Sequence, residues 1–259
     1  MTTEEIKKII GNKRLSKAKG QTLLLDENIA RKFASLIPFE KGKKILEIGP
    51  GLGIITKYLI NRGFEVLGVE IDKDFCKYLA SKGINVICGD FLKLEIDPSF
   101  KTVVGALPFS ISIPILEKIK KERHKIKEWF FILQKEVAER VISEPCSRSY
   151  SSLSILFNIL YDISLEFEIN PLAFFPKPDV FSTVLKGVLK EKPLIEVNEN
   201  FEKFLRTIFR YRRKTLRNNL IDYNTNRVTI DLNRRAETLK IEEVIQLYKE
   251  CNFNQEIGG

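Results

Sequence analysis

The segment Glu47-Ile48-Gly49-Pro50-Gly51-Leu52-Gly53 constrains this chain more than any other. It follows a short apolar run, Lys44–Ile48, and precedes a helical pattern over Leu52–Asn61. Glycines at a strand-to-helix corner allow a tight turn and let a ligand approach backbone N–H groups. The spacing departs from the dinucleotide fingerprint G-x-G-x-x-G, because the last glycine follows the second by two residues. Glu47, just before the loop, would repel a pyrophosphate. It suits a cationic, amine-bearing ligand instead.

The rest of the pattern extends this corner into an α/β architecture. Apolar residues at helical spacing over 27–37 follow Asp26, a predicted N-cap. Strands are predicted at Glu65–Val69, Ile84–Cys88, Thr102–Gly105 and Trp129–Leu133. Helices are predicted at Asp72–Ser81, Ser112–Lys121, Gln134–Ile142 and Ser152–Ile159. Two late strands, Ile163–Ile169 and Ser182–Leu189, follow, read as an antiparallel pair. Alternation at this length indicates a doubly wound, mostly parallel, Rossmann-like sheet with helices on both faces. After Lys192-Pro193 a basic helical stretch over 199–220 and a helical period over 241–250 replace the strands. The expected division is therefore residues 1–190 as an α/β domain and 191–259 as a small all-helical domain.

Glu70 ends the second predicted strand, where a carboxylate can accept both hydroxyls of a ribose. Asp90, in Cys88-Gly89-Asp90-Phe91, ends the third and can accept from an adenine amino group. Three acids at successive strand ends converge on the crevice where such sheets bind ligands. An adenosine with a sulfonium and an amino-acid tail fits them, so S-adenosylmethionine is the expected cofactor.

Composition removes other chemistries. The single histidine, His124, lies among charges in Lys121-Glu-Arg-His-Lys125 and is expected at the surface. Cys76, Cys88, Cys146 and Cys251 form no CxxC pair, so a zinc site of the usual spacing is excluded and reduced, buried thiols are expected. The first residues lack the apolar core of a secretory signal, and no run approaches the ~18 apolar residues of a membrane span. A soluble, cytoplasmic, monomeric protein without a metal is expected. The 43 Lys and Arg against 34 acids give +9, which points to a polyanionic partner. The excess has two addresses. One is Lys13, Arg14, Lys17 and Lys19. The other is 203–217, where Arg210, Arg212, Arg213, Lys214 and Arg217 accompany Phe204, Phe209 and Tyr211 with no acid. Cations interleaved with rings suit an RNA backbone and exposed bases.

Several motifs together resemble the ribosomal RNA adenine N6-dimethyltransferases, the family of the kasugamycin-resistance and erythromycin-resistance methylases. Gly20-Gln21-Thr22-Leu23-Leu24-Leu25-Asp26 is similar to the family's G-Q-(N/H)-F-L-x-D opening, with Thr22 replacing Asn or His. Glu47 to Thr56 resembles its glycine motif, Gln134-Lys135-Glu136-Val137 its Q-K-E-V element, and Phe174 to Ser182 its F-x-P-x-P-x-V-x-S segment. Arg212 to Asn218 resembles the basic helix of the small-subunit branch. The resemblance implies that Gln21, Thr22, Leu24, Glu47, Gly49 and Gly51 lie along the cofactor. It implies the same for Glu70, Ile71, Asp90, Phe91 and Ala106. It further implies a small-subunit ribosomal RNA or assembling small subunit as partner, with methyl transfer to adenine N6.

The family's catalytic N-L-P-Y reads Ala106-Leu107-Pro108-Phe109 here. An exocyclic adenine nitrogen is a poor nucleophile because its lone pair is delocalised into the ring. Acceptors aimed at its N–H groups turn that pair outward and stabilise the charge that develops. Ala106 supplies no amide acceptor, whereas the Leu107 carbonyl supplies one. Phe109 and Phe174 present faces for a flipped-out base. Two accounts of Ala106 compete. In one the protein methylates through the remaining groups. In the other it has lost methylation and acts as a non-catalytic ribosome-assembly or nucleic-acid-binding factor. A DNA-adenine or protein-glutamine methylase is a third reading, which the basic C-terminal stretch disfavours.

Overall fold

A computed structural model of the 259-residue chain describes residues 22–253. They divide into two compact units. One takes the described residues up to Ala138 together with Ile163–Leu189; the other takes Glu139–Asp162 and the chain from Lys190. The cut thus differs from the one expected near 190, because helix Ser152–Leu160 clusters with the C-terminal helices although sheet strands follow it.

The first unit is built on a seven-stranded sheet. Its strands are β2 (Lys44–Ile48), β3 (Glu65–Glu70), β4 (Val86–Cys88), β5 (Thr102–Ala106), β6 (Glu128–Gln134), β7 (Tyr161–Ile169) and β9 (Ser182–Leu189). The order across the sheet is β4-β3-β2-β5-β6-β9-β7. The pairs β4–β3, β3–β2, β2–β5 and β5–β6 are parallel, and β6–β9 is antiparallel. Strand order reverses at β2, which makes the carboxyl end of β2 the topological switch point where such sheets hold ligands. A separate antiparallel pair joins β1 (Leu23–Leu24) to β8 (Phe174–Phe175).

Burial follows from strand composition. β6 reads Glu-Trp-Phe-Phe-Ile-Leu-Gln, and its five central residues are buried because the strand lies inside the sheet with both faces covered. Trp129 fits only because its partner on β9 is Gly187; a Cβ there would lie inside the indole. The crossover helices α1 (Glu27–Ser35), α2 (Ile54–Asn61), α3 (Lys73–Ser81) and α4 (Ser112–Lys121) cover the sheet. Asp26 caps α1, with its carboxylate accepting from the Asn28 and Ile29 N–H groups at 2.8 and 3.1 Å, as its sequence position predicts. Asp72 caps α3 rather than opening it.

The cysteine expectation is corrected at one pair. α3 packs on β4 and brings the Cys76 and Cys88 Cα atoms to 5.8 Å, inside the disulfide range, and the two are bonded. Cys146 is exposed, and Cys251 is buried as a free thiol.

In the second unit the described residues from 190 form helices and turns and no strand. Helix α7 (Glu199–Ile208) buries Phe201, Phe204, Leu205 and Ile208. The ring of Phe201 meets Tyr248 edge-on at 4.9 Å, and Phe204 contacts Tyr223 and Tyr248. Each such ring contributes about 1.5–3 kcal/mol of burial. The basic stretch is not one helix: α7 ends at Ile208, and only Leu216–Asn219 resumes helical geometry. Residues 210–214 form turns, and their side chains are exposed. No helix among the described residues is long and apolar enough to cross a membrane.

Candidate active site

The glycine loop turns where the sequence requires. Gly49, Gly51 and Gly53 have φ of +63, +56 and +74°, in the left-handed region that L side chains rarely adopt. At Gly51 space is limiting as well, since a Cβ would come within 2.8 Å of the Leu23 side chain. The close approach lets the Gly51 N–H donate to Glu70 Oε2 at 3.0 Å.

Glu70 is thereby pinned. Its other oxygen, Oε1, accepts from the Asp72 N–H at 2.9 Å, and the side chain is 6% exposed. Desolvation pushes its carboxyl above the ordinary range, while these backbone bonds and that of Ile71 oppose the shift. Asp90 accepts from the Leu92 N–H at 2.9 Å and starts the short turn Phe91–Lys93. Glu47 is buried, and its Oε2 accepts from the Thr56 hydroxyl at 2.6 Å. Burial drives its pKa up to about 7; the Thr56 bond opposes this and the Glu70 charge adds to it.

Two adjoining cavities join these groups. One, of about 110 Å³, is lined by Thr22, Gly49, Gly51, Glu70, Ile71, Asp90, Phe91, Ala106 and Pro108. The other, of about 30 Å³, is lined by Thr22, Leu24, Glu47, Gly49, Gly51 and Ala106. The strand-end acids and the glycine loop therefore share one cleft, and Ala106 lines both of its parts. Leu23, Val69, Asp72, Phe75, Gly89 and Ile111 line the cleft too, and sequence reasoning missed them. Phe75 carried a signal, a ring in the first turn of the helix that follows Glu70. Larger cavities of about 720 and 470 Å³ open at the amino-terminal ends of the strands, around Lys44, Glu65, Thr102 and Glu128. They contain neither the glycine loop nor the strand-end acids.

Beyond Ala106 the chain leaves the sheet. The Leu107 N–H donates to the Ile132 carbonyl at 3.0 Å, and no described residue donates to the Leu107 carbonyl. Phe109 is half-buried, and its carbonyl accepts from the Ser112 hydroxyl at 3.3 Å. Phe174 is buried in a cluster with Ile132 and Val184, against which Ala106 packs. The structure thus brings Phe174 to the Ala106 side of the sheet.

The remaining expected residues do not line this cleft. Arg210, Arg212, Arg213, Lys214 and Arg217 are exposed in the second unit. Arg210 lies over the Tyr211 ring at 5.2 Å, and Arg212 pairs with Glu237 at 3.2 Å. Gln21, Lys13, Arg14, Lys17 and Lys19 fall outside the described residues. His124 is exposed, as its charged surroundings predict.

The donor set fits S-adenosylmethionine on an internal observation. Glu47 is buried and no cation of the described residues pairs with it, so a ligand cation would offset its charge. The cleft beyond it is lined by the half-exposed Asp90 and the exposed Ile71, a polar and an apolar wall for an adenosine.

The family model described as ribosomal RNA adenine dimethylase matches residues 12–253. Among curated relatives, the ribosomal RNA small subunit methyltransferase A of Francisella tularensis subsp. novicida is 37% identical over 256 residues, covering 90% of this chain and 96% of the relative. The protein of the same name from Thermotoga maritima is 34% identical over 241 residues, covering 91% and 85%. A dimethyladenosine transferase from Plasmodium falciparum shares the fold, with a TM-score of 0.76 at 24% identity over 90% of this chain and 98% of that one.

Proposed function

Because this chain belongs to the ribosomal RNA adenine dimethylase family, we propose that it transfers methyl groups from S-adenosylmethionine to adenine N6 in small-subunit ribosomal RNA, as a cytoplasmic monomer acting on the assembling subunit. The observation that carries the reading is the convergence of Glu47, Glu70, Asp90 and the glycine loop on the cleft that Ala106 lines.

Bound S-adenosylmethionine supplies an electrophilic methyl group on a sulfonium. The chain's own groups do the rest. Glu70, held by two backbone N–H groups, presents fixed acceptors to the ribose hydroxyls. Asp90 accepts from the adenine amino group of the cofactor. Glu47, buried beside the glycine loop, offsets the ligand's cation. On the substrate side, the Leu107 carbonyl accepts from the target amine and turns its lone pair toward the methyl. Phe109 offers its half-exposed ring to the flipped base, while Phe174 lies buried in the apolar cluster on the Ala106 side of the sheet. Arg210, Arg213, Lys214 and Arg217 bind RNA phosphates, with Tyr211 offering a ring to an unpaired base.

Ala106 favours the second reading, an assembly factor without methylation. Incubating the protein with labelled S-adenosylmethionine and undermethylated small subunits separates the two. Label in N6-methylated adenosine is expected. Tight particle binding with no label would establish the assembly factor instead.

A further inference from the structure

Residues paired across neighbouring strands share a sheet face, and every second residue along a strand returns to it. Ala106 on β5 pairs with Ile132 on β6, which pairs with Val184 on β9. These three lie in or against the apolar cluster that holds Phe174. One pleat further toward the carboxyl end of β6, on this same face, stands Gln134, opposite Ser182 of β9. By strand geometry its Cα lies about 8 Å from that of Ala106, two residues along and one strand across.

Gln134 and Ser182 are polar residues at the rim of an apolar face. The Gln134 amide is half-buried and has no side-chain hydrogen bond among the described residues. The Ser182 hydroxyl is fully buried and also lacks a partner among them. Buried polar groups of folded proteins are nearly always bonded, so an unused hydroxyl beside an unused amide marks a place where a polar ligand edge completes the set. The next residue, Lys135, is turned to other work, pairing with Glu168 at 2.8 Å.

We infer that Gln134 is a catalytic residue: its amide oxygen accepts an N–H of the target adenine and supplies the acceptor that Ala106 lacks. The inference rests on the methyltransferase reading above. A glutamine side chain reaches further than an asparagine, which matches its start one pleat and one strand away. It has the same acceptor chemistry as the missing amide. No proton transfer to Gln134 is required; the amine loses its proton to solvent after transfer.

The experiment is single-turnover methylation of undermethylated small subunits by the full chain, run alongside S-adenosylhomocysteine affinity and thermal melting for each variant. Gln134→Ala is expected to lower the transfer rate about 10²-fold, with cofactor affinity and melting unchanged. Gln134→Glu, which keeps an acceptor, is expected to stay within about tenfold of the unaltered protein. In an Ala106→Asn background, Gln134→Ala is expected to cost less than about threefold, because the two amides serve one N–H edge. An unchanged rate for Gln134→Ala, or an equal loss in both backgrounds, would overturn the inference while leaving the methyltransferase reading intact. If the unaltered protein were inactive and Ala106→Asn active, Gln134 would be shown not to replace the amide. If both bound cofactor and neither transferred methyl, the functional reading itself would fail, and the inference with it.

Discussion

Ala106→Asn is the most informative single change. It restores the amide acceptor at the end of β5 without disturbing the cofactor acids. Space exists for it: the Ala106 side chain borders cavities of about 30 and about 110 Å³, so the amide enters open volume instead of overpacking a core. The backbone that carries it is fixed, because the Leu107 N–H is bonded to Ile132 and a Cβ on Gly105 would come within 2.6 Å of the Ile48 carbonyl. Removing one preorganised hydrogen-bonding partner of a developing charge costs about 10²–10³ in rate. Adding one to a site with no other side-chain acceptor would return that whole factor. With Gln134 already in the role, the gain is expected to be only about tenfold, about 1.4 kcal/mol of barrier. The assay is the single-turnover rate with saturating cofactor, so that binding does not enter. A gain of 10² or more would mean that Gln134 does not serve. A loss of rate with cofactor affinity intact would refute the placement of Ala106 beside the target amine.

Four further outcomes follow. Glu70→Ala removes the acceptor of the Gly51 and Asp72 N–H groups, and isothermal titration should show S-adenosylhomocysteine affinity falling by about 10²-fold; a loss under threefold would count against Glu70 as the ribose anchor. Glu47, raised to about 7, is protonated at lower pH and then cannot offset a cation, so cofactor affinity should rise from pH 6 to pH 8 and Glu47→Gln should flatten the profile. The same raised pKa means the folded chain binds more protons than the unfolded one between the ordinary carboxyl range and about 7; stability from this group is therefore lost as pH rises through that window, and chemical denaturation across it checks the sign. Replacing Arg210, Arg213 and Lys214 by Ala should weaken small-subunit binding and reduce the slope of log affinity against log salt by about two to three; an unchanged slope would remove this surface from the RNA interface.

Much of the fold was legible because it rests on local rules. Strand and helix periods, the Asp26 cap and the left-handed glycines depend on residues near one another in sequence, and the observed elements fall within a few residues of expectation. The exceptions arise where distant packing decides. The predicted helix over 199–220 breaks after Ile208, since the charged residues 210–214 bring no apolar stripe to hold a helical turn against a neighbour. Cys76 and Cys88 give no pairing signal in sequence and meet only because α3 lies on β4. The helix Ser152–Leu160 clusters with the C-terminal unit for a similar reason: its almost wholly buried surface is completed by residues far along the chain.

The sequence by itself determined the chemistry of the site. Glycines, three strand-end acids and a motif ending in two aromatic faces specify a cationic adenosine cofactor and a planar substrate, because each requirement is carried by residue type and short spacing. Tertiary structure decided how those groups are held and what adjoins them. Only folding buries Glu47 away from any cation of the described residues, ties both oxygens of Glu70 to the backbone, and lays β6 beside β5. That last contact sets Gln134 and Ser182, whose hydroxyl has no partner among the described residues, one pleat beyond Ala106, because strand register is fixed by pairing between segments that sequence order keeps far apart.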